Sequence, residues 1–109
     1  MNVKGKNVLI TGGSLGIGRE TARELVEKGA NVLITGRSEE RLTEAKRYTR
    51  SKIVKFDISD HENMPENAKK CIDILGGRVD VLINNAGIGV RKSIDELNIE
   101  DFLKVFNVN

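Results

Sequence analysis

Gly12, Gly16 and Gly18 lie in the run Thr11-Gly12-Gly13-Ser14-Leu15-Gly16-Ile17-Gly18, directly after the apolar Val8-Leu9-Ile10 and at the head of a segment with helical periodicity. A glycine-rich turn between a strand and a helix lets the main chain approach a phosphate and aims a helix N-terminus at it. The spacing Thr-Gly-x-x-x-Gly-x-Gly is a relative of the dinucleotide-binding fingerprint with a longer first gap. Gly12 permits the tight bend, Gly16 lets a pyrophosphate near the backbone, and Gly18 lets the helix pack closely on the strand. Ser14 adds a hydroxyl donor, and Ile17 belongs to the same candidate binding turn. The alternative is a loop that needs only flexibility.

Other reactive side chains point nowhere so definite. Cys71 is the single cysteine, so no internal disulfide forms, and a small apolar residue on a helix face describes it better than a reactive thiol. His61 is the only histidine and falls in a polar turn, where it reads as solvated. No cluster of His, Cys or carboxylates has metal-site spacing. Tyr48 and Lys52 form a Tyr-x-x-x-Lys match.

The elements that would position the glycine turn alternate. Asn7–Thr11, Asn31–Thr35, Ile53–Asp57 and Val79–Asn84 read as strands, the last with the uninterrupted apolar run of a strand covered on both faces. Between them, Ile17–Lys28 reads as a helix ending at Gly29, a second helix is N-capped by Ser38 with Glu39 and Glu40 in its first turn, and a third runs from Pro65 to Leu75. A last helix, capped by Asn98, puts Phe102, Val105, Phe106 and Asn109 on one face. Strand-helix alternation with short links predicts an α/β, doubly wound, Rossmann-like parallel sheet of about four strands in the order 3-2-1-4, with the glycine turn at the switch point.

With 109 residues the chain is expected to form one domain, residues 1–109, short for a complete two-halved dinucleotide fold. Eighteen Lys and Arg against sixteen Asp and Glu give a net charge of +2, and the signs are interspersed, so no basic stripe argues for nucleic acid. No apolar run suggests a signal segment or a membrane span, and with the single cysteine this gives a cytoplasmic expectation and no membrane partner.

Four features in this order resemble the N-terminal, cofactor-binding part of a short-chain dehydrogenase/reductase: the Thr11–Gly18 turn, Asp57 ending the third strand, Asn84-Asn85-Ala86-Gly87 after the fourth, and Val108-Asn109. The resemblance covers the whole chain, and the glycine turn with Asn-Asn-Ala-Gly is a specific pair. It implies that Asp57 holds the adenine amino group with Ile58 backing the ring, and that Asn85, Ala86 and Gly87 line the ribose on the nicotinamide side. Asp57 also reads as a strand-end carboxylate capping the turn through Ser59, and the two roles are compatible. Asn84 reads as a brace between the fourth strand and the first near Thr11. Asn109 would be one member of a catalytic tetrad, whose serine, tyrosine and lysine belong downstream of it. The Tyr48–Lys52 match precedes the third strand and is read as chance.

The residue after the second strand usually selects the cofactor, an acid there accepting from ribose hydroxyls and repelling a 2′-phosphate. Here Gly36 stands in that place and Arg37 follows, which predicts NADP, with NAD as the alternative. Arg37 as an ordinary solvated loop residue stays open.

The resemblance implies hydride transfer between a nicotinamide and a carbonyl or alcohol in the parent family. The isolated chain, with one of four catalytic residues, is expected to be inactive. The alternatives are a non-catalytic, self-associating fragment and one half of a split enzyme. An open fourth-strand edge and the Phe102, Val105 and Phe106 face predict a homo-oligomer.

Overall fold

The computed structural model describes residues 2–85 and the backbone of 90–93. Its elements, in chain order, are β1 (Asn7–Thr11), α1 (Gly16–Glu27), β2 (Asn31–Gly36), α2 (Glu39–Thr49), β3 (Lys52–Lys55), α3 (Met64–Ile74), β4 (Val81–Asn84) and β5 (Val90–Ser93). They form one sheet in the order β3-β2-β1-β4-β5. β1 pairs in parallel with β2 and β4, and β2 pairs in parallel with β3, which is the expected 3-2-1-4 arrangement.

Alternation along the strands sorts the core into two layers, because successive side chains point to opposite faces. Val8, Ile10, Val32 and Ile34 pack with Ala22 of α1 and with Leu42 and Ala45 of α2. Leu9, Leu33, Val54 and Leu82 pack with Met64, Ala68 and Cys71 of α3 on the other side. Burial pushes the Cys71 thiol up to about 12, the nearby Lys70 charge offsetting little of this, so it stays an apolar filler.

Helix ends follow local chemistry. Ser38 caps α2, its Oγ accepting from the Arg41 amide at 3.2 Å, with Glu39 and Glu40 favourably placed in the first turn. α1 stops one residue before the expected Lys28, and Gly29 takes the left-handed conformation that ends it. β3 stops at Lys55 because only Phe56, whose amide donates to Gly36 O, continues the pairing before the chain turns at Asp57.

The expected open edge of β4 is corrected. Val90–Ser93 pairs antiparallel with it, from Val81↔Ser93 to Asn84↔Val90, so β4 has partners on both sides. The other half of the association argument, the Phe102, Val105 and Phe106 face, lies outside the described residues. No helix among the described residues is long and apolar enough to cross a membrane.

Below the sheet, Asp80 is buried and its Oδ2 accepts from the Asn7 amide at 2.8 Å while Arg78 holds its Oδ1. Burial alone would raise this carboxyl, but the Asn7 amide and the Arg78 guanidinium outweigh it and hold it below the usual carboxylate range. With the folded value below the unfolded one, the ionised carboxylate adds stability above the unfolded pKa, and this is lost as pH falls through the folded value. Asp80→Ala is therefore expected to cost about 2 kcal/mol near neutrality and clearly less at pH ~3, read from urea midpoints at the two pH values. An equal cost at both would remove the carboxylate from the explanation.

Candidate functional site

The C-terminal ends of β1, β2 and β3 open into one cleft of about 680 Å³. From the β1 end come Gly12, Ser14 and Leu15; from the β2 end Thr35, Gly36, Arg37, Ser38 and Arg41; from the β3 end Phe56, Asp57, Ile58 and Ser59. A crevice outside the carboxyl ends of parallel strands, where strand order reverses about β1, is where open α/β sheets hold ligands.

The glycine turn is shaped from below. Gly12 has φ +70, and its amide donates to Thr35 O at 2.9 Å. A Cβ on Gly18 would lie 2.9 Å from Gly12 O and 2.6 Å from Asn85 Nδ2, so α1 meets the turn with no room for a side chain. Asn85 ties the turn to β4, its amide donating to Thr11 O at 3.0 Å and its Nδ2 reaching Gly12 O at 3.4 Å. Beside it the Thr11 hydroxyl donates to Asn84 Oδ1 at 2.8 Å, both side chains buried. Asn84 thus braces β4 against β1.

α1 begins with no side-chain cap and no acid in its first turn, which leaves its leading amides and the positive end of its dipole for an external anion. Ile17 at its start is 77% exposed and Leu15 48%. These residues fit a dinucleotide: free amides for a diphosphate, a glycine cradle that a Cβ would fill, and an acceptor carboxylate at the far strand. Asp57 is held below the usual carboxylate range first by the Ser59 amide (2.9 Å), then by the Ser59 hydroxyl (2.8 Å), with the Arg37 charge adding to this.

Of the residues singled out from sequence, Gly12, Ser14, Arg37, Asp57 and Ile58 line the cleft. Gly16 and Ile17 open α1 beside it, while Gly18 and Asn85 support the turn. Ala86, Gly87 and Asn109 lie outside the described residues. Arg41 was missed as a wall of the cleft; as an arginine four residues after Arg37 and next to the Ser38 cap it carried the signal, but it reads as solvated helix surface. Glu39 and Glu40 do not line the cleft and leave its cationic side intact.

Tyr48 is accounted for elsewhere. Its hydroxyl donates to Glu20 at 2.7 Å and accepts from Arg23 at 2.8 Å, joining α2 to α1. The Arg19 and Arg23 guanidinium carbons lie 4.8 and 4.6 Å from its ring centroid. The only tyrosine of the chain is therefore outside the cleft lining, as expected of a chance match to Tyr-x-x-x-Lys.

The family model for short chain dehydrogenase matches residues 6–109. The chain belongs to the short-chain dehydrogenase family. It is 38% identical over 115 aligned positions to the L-rhamnose 1-dehydrogenase (NADP(+)) of Thermoplasma acidophilum, covering 100% of this chain and 45% of that protein. It is 36% identical over 111 positions to the NADP-dependent (R)-specific alcohol dehydrogenase of Lentilactobacillus kefiri, covering 98% of this chain and 44% of the other. Among solved structures, a short chain dehydrogenase from Bacillus anthracis superposes with a TM-score of 0.69 at 38% identity, over 78% of this chain and 36% of that one. The chain spans a little under half the length of the curated relatives it matches.

Proposed function

We propose that this short-chain dehydrogenase chain is the NADP(H)-binding part of an oxidoreductase acting on a carbonyl or alcohol. The observation that carries the reading is the β2 end of the cleft, where Gly36 replaces an acid and both Arg37 and Arg41 form the wall. Two guanidiniums, with Asp57 the one carboxylate among the described residues of the cleft lining, suit the two charges of a 2′-phosphate. Two relatives named for NADP, the L-rhamnose 1-dehydrogenase (NADP(+)) and the NADP-dependent (R)-specific alcohol dehydrogenase, support the same choice.

When bound, the nicotinamide supplies or accepts the hydride. The protein's part is positioning. The leading amides of α1 face diphosphate charge, Asp57 accepts from the adenine amino group with Ile58 beside it, and Asn85 keeps the glycine turn in place. Ala86 and Gly87 complete the ribose side and Asn109 organises a proton relay, by family resemblance. The only phenol, on Tyr48, is held by Glu20 and Arg23, so these 109 residues by themselves bind the dinucleotide without turnover.

Calorimetry with NADP+ and NAD+ tests this. Arg37→Ala should weaken NADP+ about 30-fold while NAD+ changes little. The wild-type preference should also shrink below pH ~6, where a phosphate monoester takes up its second proton. Equal wild-type affinity for both cofactors would overturn the NADP assignment. Carbonyl reduction by the purified chain at the rates usual for enzymes would overturn the inactivity.

A further inference from the structure

A second cleft, of about 580 Å³, lies between α1 and the end of α2 and shares no lining residue with the first. Its walls include Arg23, Glu27, Arg47, Tyr48 and Arg50. The acids there are already engaged: Glu27 pairs with Arg23 at 3.4 Å, and nearby Glu20 takes the Tyr48 hydroxyl. The guanidinium groups of Arg47 and Arg50 have no hydrogen-bond or ion-pair partner among the described residues, although the Arg50 amide donates to Lys46 O at 2.8 Å. The cleft therefore holds surplus positive charge around a phenol that is itself fixed.

The backbone adds an independent observation. Arg50 closes α2 with φ +62 and ψ +24, and it is the only non-glycine residue with positive φ among those described. Glycine fits that left-handed cap without strain, so an arginine there carries a conformational penalty while adding a cation to the lining of the cleft.

We propose that the α1–α2 cleft binds a multiply charged oxyanion of the polyphosphate class, gripped by Arg47 and Arg50 with Arg23 as the fixed third cation. Both faces of ligand choice follow from the walls. The two unpaired guanidiniums of Arg47 and Arg50 suit phosphoryl oxygens bound in bidentate fashion, Arg23 adds charge while staying on Glu27 and Tyr48, and the volume exceeds what one orthophosphate fills. The Tyr48 ring already carries the Arg19 and Arg23 guanidiniums, which favours a ligand without an aromatic base.

Sodium pyrophosphate is the probe, followed through the Arg side-chain and backbone amide signals of the whole chain by NMR. The Arg47 and Arg50 signals should shift and saturate with a Kd below about 1 mM, and orthophosphate should bind about tenfold more weakly. Arg50→Gly should weaken pyrophosphate binding while raising the unfolding midpoint, a pairing that a purely structural role for Arg50 would not produce. Arg47→Gln with Arg50→Gly should abolish saturation at this cleft and leave the Gly12 and Ser14 response to pyrophosphate unchanged. A linear response matched by sodium chloride at equal ionic strength would show screening alone and overturn the proposal. Saturation that survives the double variant would overturn it as well.

Discussion

Gly18→Ala is expected to cost about 2 kcal/mol of stability and to weaken dinucleotide binding on the order of 100-fold. The new Cβ would stand 2.9 Å from the Gly12 carbonyl oxygen and 3.1 Å from Gly13 Cα, both main chain. The 2.6 Å approach to Asn85 Nδ2 can be relieved by turning that amide, but the backbone approaches cannot. α1 must then back away from the turn, which moves its leading amides from where a diphosphate would sit and also breaks the Asn85 brace. Gly16→Ala is the comparison: nothing lies within 4 Å of its Cβ, and it is strained only by φ +58. It should cost about 1 kcal/mol with a smaller loss of binding. Thermal unfolding and calorimetry with NADP+ on the two variants check this. Wild-type binding by Gly18→Ala would show that the close approach of α1 does not shape the site.

Asn84→Ala is expected to destabilise the chain by about 3 kcal/mol, through an emptied space and a buried Thr11 hydroxyl left without its acceptor. The two residues are register partners on β1 and β4 and are almost fully buried. A hydrogen bond in such a place is costly to halve and cheap to remove whole. Thr11→Val combined with Asn84→Leu should therefore lose less than the sum of the single changes, with a coupling of about 1 kcal/mol or more. Urea unfolding of the four species closes the cycle. Strict additivity would mean that the bond contributes nothing and Asn84 is there for its volume.

The strand order and the layering were legible because they rest on apolar periodicity, which the two-sided burial of Val8, Leu9 and Ile10 enforces. The glycine turn was legible for a different reason: its residues are restricted by backbone shape and close approach at Gly12 and Gly18, which other residues do not satisfy. β5 was not legible. Val90-Arg91-Lys92-Ser93 has no alternating apolar pattern, and it pairs through main-chain groups that every sequence carries. Arg41 escaped for a related reason: with the helix start at Ser38 legible, its first-turn side chains still read as solvated surface until the packed β2 and β3 ends form the cleft that Arg41 lines. The second cleft was hidden altogether, because Arg23 and Arg50 are far apart in sequence and meet only when α1 and α2 pack.

The central place of β1 has a consequence for the order of assembly. Its neighbour β2 pairs at a separation of 24 residues, whereas β4 is 73 residues away. Closing the longer loop costs about 1 kcal/mol more in chain entropy, so β1, α1 and β2 are expected to form a unit before β4 docks. During synthesis the N-terminal unit also leaves the ribosome first. The glycine turn thus takes its bend early, but the Asn84 and Asn85 bonds that hold it arrive only with β4. Weakening those bonds should mainly speed unfolding and leave the folding rate little changed, and the β1–β4 seam beneath the glycine turn should be the first part of the sheet to loosen and the last to set.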